Sequence, residues 1–357
     1  MTVVDTMPAP PEGFRVPALH GPVEVRLHPK ADRVQESLLQ WASLHGLFRN
    51  SRQRERFAHS GFARFAGYTY PRVAALETVA WWHGHNWLVD DFLDDPRTDD
   101  AQAERLVADL LAQLPVDLRD RHKPKDPLAA AAADLWRRTA PARSSAWRSR
   151  YRAHYRDWLA LSLRARPHRQ GRRAPLSVPS YIRRRRLHSG AEMTFDLLEV
   201  GHDRELPETV AGSDLYRMVR FAANDAISWT NDLYSLPKDL AAGDSDHLTA
   251  VVRQARGGTW SDAARKAARM VHEATADFLT ACDDLRAMRG LYEVTDAQWA
   301  FVDDSLEDLA LWISGSLHWH EHTPRYRLSS EAGSFGLHLT DHDEELLDDA
   351  GHGGRHS

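Results

Sequence analysis

The stretch Val34-Gln35-Glu36-Ser37-Leu38-Leu39-Gln40-Trp41-Ala42 decides the fold class. Its apolar residues Val34, Leu38, Leu39, Trp41 and Ala42 fall at i, i+4, i+5, i+7 and i+8, the spacing of one face of a helix. Outward from it, Ala101 to Leu114, Asp126 to Arg138, Ala146 to Arg164 and Ser261 to Leu285 are rich in good helix formers. No series of alternating strands with turn pairs interrupts them, so the chain reads as all-α.

Proline and glycine mark the breaks. Residues 1–30 hold many prolines and read as an extended lead-in. Arg166 to Pro179 reads as a basic loop, and Pro237 is expected to disturb an otherwise helical pattern. No internal repeat or domain boundary is evident. One helical domain over 31–330 and a disordered acidic, then Gly/His-rich tail over 331–357 are expected.

A formal net charge of -5 argues against a nucleic-acid-binding face, which needs a concentrated basic surface. Cys282 is the one cysteine, so no disulfide within the chain can form. No segment is long and apolar enough to span a bilayer, and the first residues do not read as a secretory signal. A cytoplasmic protein is expected.

Two polar patterns carry chemistry. The first is Trp87-Leu88-Val89-Asp90-Asp91-Phe92-Leu93-Asp94-Asp95. Adjacent acids are common, and Asp283-Asp284, Asp303-Asp304 and Asp348-Asp349 read as solvated surface. Asp90 differs because it follows Trp81, Trp82, Trp87, Leu88 and Val89, a segment that should be buried. Asp90 and Asp94 stack one turn apart, and carboxylates on a buried helix need compensation. A hard cation such as Mg2+ supplies it, binding a few carboxylates together with phosphate oxygens. The second pattern is Asn231, Ser235 and Asp239, at i, i+4 and i+8. That step drifts only about 40° per repeat on a helix, so an amide, a hydroxyl and a carboxylate share one stripe. It reads equally as an all-oxygen metal site or as a polar helix end.

Together these segments resemble the paired metal motifs of bacterial class I terpene synthases, DDxxD and NDxxSxxxE, with Asp239 where the family usually has Glu. Three further segments are similar to that family in order. Tyr181 to Gly190 resembles its YxxxR…G segment, and Arg185 lies 46 residues before Asn231, where the family places its diphosphate sensor. Arg186 is the alternative register in this run of arginines. Lys238 resembles the family's diphosphate-binding lysine. Trp312 and Trp319, seven apart, lead to Arg325-Tyr326, which resembles the closing Arg-Tyr pair. The resemblance spans Phe14 to Tyr326.

It implies a single-domain helical bundle around a central cavity, and Mg2+-dependent ionisation and cyclisation of a prenyl diphosphate. Farnesyl diphosphate is the first choice, with the geranyl and geranylgeranyl homologues open. It implies three Mg2+ ions: two held by Asp90 with Asp94, the third by Asn231, Ser235 and Asp239. Arg185, Lys238, Arg325 and Tyr326 would donate to the diphosphate. Ser189, at the helix break after Arg185, would present backbone to the cation, and Trp87 and Trp319 would form its aromatic wall. Phe65, Trp82 and Trp312 are weaker candidates for that wall and read first as core. A homodimer is ordinary for the family.

Rival readings fare worse. A chain-elongating prenyltransferase would carry a second DDxxD. A di-iron oxidase needs two Glu-x-x-His pairs, and Glu199-Val200-Gly201-His202 is the one found. His83 and His85, two apart, face opposite ways on a helix. A non-catalytic scaffold leaves the ordered polar series unexplained.

Overall fold

The computed structural model describes residues 14–95, 97–120, 122–169, 176–241, 247–323 and 326. They contain no strand and fourteen α-helices. These are α1 (Ala31–Leu44), α2 (Ser51–Ser60), α3 (Phe62–Thr69), α4 (Leu76–Asp94), α5 (Asp100–Ala112), α6 (Pro127–Thr139) and α7 (Ser145–Arg169). They continue as α8 (Val178–His188), α9 (Ala191–Gly201), α10 (Glu208–Ala211), α11 (Asp214–Ala241), α12 (Leu248–Arg256), α13 (Trp260–Ala287) and α14 (Asp296–His322).

Sequence chemistry sets many of the helix ends. Asp99 with Gln102, Thr259 with Asp262 and Thr295 with Gln298 form reciprocal capping boxes at α5, α13 and α14. Asp126 caps α6 just before Pro127, whose missing N–H costs nothing in the first turn. In α1, Val34, Leu38, Trp41 and Ala42 are buried on the face that their spacing marks.

The central helices are α4 and α14, which are buried on most sides. A side chain at Gly315 would collide with the Tyr68 carbonyl, so glycine there lets α14 lie directly on α3. Most buried apolar side chains form one continuous core. No described helix is long and apolar enough to cross a membrane.

Two expectations change. The helix α11 runs unbroken from Asp214 to Ala241 with Pro237 inside it. Proline there removes one backbone hydrogen bond, and the fully buried Leu233 and Leu236 just before it hold the segment in place. The helix α7 also reaches Arg169, further than the basic composition suggests. Residues 331–357 and Arg325 lie outside the described residues.

Candidate active site

One cavity of about 200 Å³ gathers the two polar patterns. Its walls carry His83, Asn86, Trp87, Asp90 and Asp94 from α4, and Ile227, Ser228, Asn231, Ser235, Lys238 and Asp239 from α11. The break between α8 and α9 adds Arg185, Ser189 and Gly190, and α14 adds Trp312, Ser316 and His320. On α4 the lining positions repeat every three or four residues, so one stripe runs from Asp94 at one end to His83 at the other.

The α11 stripe presents oxygen. Asn231, Ser235 and Asp239 all line the cavity. The Ser235 hydroxyl is buried and meets no hydrogen-bonding group among the described residues. By contrast Thr230 and Ser305, also buried on helices, donate to the carbonyls of Ala226 (2.7 Å) and Phe301 (2.8 Å) one turn back. A buried hydroxyl left facing a cavity is a donor awaiting a ligand. Asp239 lies 2.9 Å from Lys238 Nζ and 3.3 Å from His247 Nε2. Burial pushes its carboxyl upward, but Lys238 and His247 outweigh that and hold it below the usual carboxylate range. It is therefore ionised. Among the described residues no three His, Cys, Asp or Glu side chains converge on a metal position. Asn231, Ser235 and Asp239 offer an amide, a hydroxyl and a carboxylate oxygen on one cavity wall, a donor set of the kind that suits a hard cation.

The cationic groups sort themselves by geometry. Arg185 donates to Asn231 Oδ1 (2.9 Å) and Asp232 Oδ1 (3.0 Å) at the cavity edge. Arg186 makes a two-pronged pair with Asp225 (2.8 and 2.6 Å) and lies over Phe221, outside the cavity lining. Of the two arginines, Arg185 is the one that lines the cavity. Asp232 does not line up with the metal stripe's role. It ties α11 to α8 and α12, accepting from Tyr181 Oη, Arg185 and the Leu248 N–H. Tyr326 lines the cavity, and its hydroxyl accepts from Asn231 Nδ2 (3.0 Å) and contacts His320 Nδ1 (2.8 Å).

The α8–α9 break is built on Gly190, whose φ of +72° is the left-handed region that side chains avoid. Ser189 beside it lines the cavity, and its hydroxyl donates to Asn224 Oδ1 (2.8 Å) and accepts from the Ala191 N–H (3.1 Å).

The aromatic wall differs from expectation. Trp87 lines the cavity, but Trp319 stands one layer back, its ring against Phe65 (4.9 Å) and Trp87 (5.9 Å). Phe65 and Trp312, read first as core, are buried in it and also line the cavity, together with Trp158. The Phe65 and Trp87 rings that Trp319 packs against are the ones that line the cavity. Trp82 is core as expected, fully buried with its indole N–H on Thr139 Oγ1 (3.0 Å).

The decoys resolve as structure. Asp303 and Asp304 pair with Arg286 and Arg204 on the surface. Glu199 and His202 do not meet at a metal, because Glu199 pairs with Arg150 and His202 with Asp308 (2.7 Å). His83, Asn86, Trp158 and His247 were not singled out for the site. The first two lie seven and four residues before Asp90, so the helical stripe could have flagged them.

The family description "Terpene synthase family 2, C-terminal metal binding" matches residues 82–277, more than half of the chain and both oxygen-bearing stripes. The chain belongs to this family. As a member it is a terpene synthase, a lyase. It is 28% identical over 322 residues to pristinol synthase of Streptomyces pristinaespiralis, covering 87% of this chain and 85% of that one. It is 25% identical over 320 residues to a 7-epi-alpha-eudesmol synthase of Streptomyces viridochromogenes, described as (2E,6E)-farnesyl diphosphate cyclizing, covering 87% of this chain and 92% of that one. The crystal structure of germacradien-4-ol synthase from Streptomyces citricolor superimposes with a TM-score of 0.74 at 25% identity, over 86% of this chain and 99% of that one.

Proposed function

We propose that this terpene synthase takes farnesyl diphosphate, ionises it with Mg2+ and cyclises the resulting carbocation. The observation that carries the reading is that Asp90 and Asp94 of α4 face Asn231, Ser235 and Asp239 of α11 across one cavity. A farnesyl diphosphate-cyclizing relative of similar length supports the choice of chain.

Asp90 with Asp94, and Asn231 with Ser235 and Asp239, would hold the metal ions. Bound Mg2+ supplies positive charge against the departing diphosphate. Arg185, Lys238 and Tyr326 line the same cavity and would donate hydrogen bonds to its oxygens, those of the two cations charge-assisted. Trp87, Phe65 and Trp312 would offer ring faces to the cation, each stabilising it by roughly 0.5–2 kcal/mol. The backbone at Ser189, a residue that lines the cavity, would add a carbonyl oxygen to this wall.

The test is parallel incubation of the protein and Mg2+ with geranyl, farnesyl and geranylgeranyl diphosphate. Diphosphate release and gas chromatography of a hexane extract are the readouts. Cyclic terpene from the farnesyl substrate is expected. A longer prenyl diphosphate as the product would mean chain elongation and overturn the proposal.

A further inference from the structure

His83 and Asn86 face the cavity from one side of α4, and the ionisation step uses neither. Three residues apart on a helix, they are neighbours on its surface. Both are buried, with 2% and 6% of their surface exposed.

The proton on His83 is fixed by what surrounds it. The Tyr70 hydroxyl lies 2.6 Å from the Thr194 carbonyl oxygen, and of these two oxygens only the phenol owns a hydrogen to place between them. Burial pushes that phenol well above its ordinary pKa, so the hydrogen stays. The Tyr70 oxygen is then an acceptor toward His83 Nε2, 3.0 Å away. Burial pushes the His83 imidazole down to about 3, so the ring is neutral. Its one hydrogen sits on Nε2, and Nδ1 carries a lone pair that meets no hydrogen-bonding group among the described residues.

The same logic orients Asn86. His85 points the opposite way from His83, and its Nε2 lies 2.9 Å from the Leu128 carbonyl oxygen, again a pure acceptor. Burial, partly offset by that bond, holds His85 down at about 4. It too is neutral with its hydrogen on Nε2, so His85 Nδ1 offers a lone pair. The Asn86 amide contacts this nitrogen at 3.3 Å. An amide oxygen there would set lone pair against lone pair. The oxygen and nitrogen of an amide share one shape and are told apart by their partners, so Asn86 turns its NH2 to His85. Its carbonyl oxygen takes the other end of the amide, the buried end that meets no hydrogen-bonding group.

Two neighbouring residues of the cavity lining therefore each keep a buried acceptor that meets no donor among the described residues. The small molecule with two hydrogens to give is water. We propose that His83 and Asn86 hold a water molecule in the cavity and deliver it to the carbocation, so that the product is a terpene alcohol. The inference rests on the prenyl diphosphate reading above.

Held by both hydrogens, the water turns its lone pairs toward the substrate. One pair forms a C–O bond to the cationic carbon. The O–H bond facing His83 breaks, its electrons stay on oxygen, and the proton moves to Nδ1. The imidazolium keeps its Nε2–H on Tyr70 and returns the proton to solvent as product leaves. His83 is a weak base, which suffices against so acidic an oxonium ion and makes the return easy. His83 lies seven residues from Asp90, about 10 Å along the helix axis. The hydroxyl is thus delivered away from the carbon that bore the diphosphate.

The protein is incubated with Mg2+ and farnesyl diphosphate in water enriched in oxygen-18, with mass spectrometry of the extract and diphosphate release as readouts. The expected main product is an alcohol carrying the label on a carbon other than the one that lost diphosphate. His83→Phe and Asn86→Leu should each shift the alcohol-to-hydrocarbon ratio toward hydrocarbon by about tenfold, the weight of one hydrogen bond. Tyr70→Phe should shift it less, by freeing the His83 tautomer. A hydrocarbon as the main product of the unaltered enzyme, a hydroxyl at the original diphosphate carbon, or a ratio unmoved in both substitutions overturns the proposal. Should both substituted proteins fail to fold by circular dichroism, the labelling of the unaltered enzyme decides alone. Diphosphate release with hydrocarbon only would remove the water site and leave the function above standing, whereas no release from farnesyl diphosphate would remove both.

Discussion

Arg185 holds the Asn231 side-chain oxygen at 2.9 Å, the same oxygen that a metal ion on α11 would take. Arg185 also pairs with Asp232, while Arg186 turns away to Asp225. A cation arriving at Asn231 therefore competes with the guanidinium and frees donors for the diphosphate. Arg185→Gln should lower kcat/KM for diphosphate release by about a hundredfold, the scale of one or two charge-assisted hydrogen bonds. Arg186→Gln should leave turnover within about threefold and lower the melting temperature, since it strips the buried Asp225 carboxylate of its two-pronged partner. Steady-state kinetics beside thermal melts separate the two, and equal kinetic losses would remove the distinction.

Ser235 offers a cleaner separation of binding from stability. Its hydroxyl is buried and meets no hydrogen-bonding group among the described residues, so Ser235→Ala breaks no bond within the fold. The melting temperature without metal should hold or rise, because an unsatisfied buried hydroxyl is a cost. The Mg2+ concentration for half-maximal activity should rise by about tenfold or more. Chelation should abolish diphosphate release in the unaltered enzyme, and restored Mg2+ should bring it back. A fall in stability with unchanged Mg2+ dependence would mean that Ser235 packs the core and holds nothing.

The aromatic wall is tested by paired substitutions. Phe65 faces the cavity and Trp319 packs behind it, with their ring centres 4.9 Å apart. Phe65→Leu should change the product mixture and slow turnover by about threefold to thirtyfold, the weight of one ring face toward a cation. Trp319→Leu should chiefly destabilise, by roughly 3 kcal/mol, through the space it leaves. Product analysis and denaturant melts on both proteins read this out. A larger product change from Trp319→Leu than from Phe65→Leu would reverse the assignment.

Much of this architecture was legible because its causes are local. The spacing of Val34, Leu38, Trp41 and Ala42 marks a buried helix face whatever packs against it. Asp90 and Asn231 were legible for a similar reason, since a polar stripe inside an apolar helix shows in the chain itself. What the chain hid depends on contacts between distant helices. Phe65 and Trp319 are both buried aromatics, and only the placement of α3 against α14 decides which one meets the cavity. Pro237 reads as a break because its local cost is visible, while the packing that outweighs it around Leu233 and Leu236 is not. Arg185 and Arg186 have identical chemistry and adjacent positions, so nothing but the turn of α8 separates them.

The buried ion network beneath the cavity gives the fold a pH dependence of known sign. Asp196 of α9 sits between Arg150, His154 and Arg220, and Glu199 one turn on pairs with Arg150 and accepts from the Leu206 N–H (2.9 Å). Burial, reinforced by the Asp196 charge and opposed by Arg150, pushes the Glu199 carboxyl from 4.5 up to about 7. A carboxyl whose pKa is raised by folding favours the protonated form in the native state. Its contribution is complete below about 4.5 and is lost as the pH climbs through about 7. Glutamine mimics the protonated acid at every pH, so Glu199→Gln should remove this dependence. The melting temperature of the unaltered protein minus that of Glu199→Gln should be flat below about pH 4.5, fall between about 4.5 and 7, and level off above. Taking the difference cancels Asp196, whose carboxyl is held below its ordinary range by His154 and Arg220 against the upward push of burial, and which acts with the opposite sign at lower pH. Melting curves that stay parallel across that window would show that Arg150 keeps Glu199 ionised throughout.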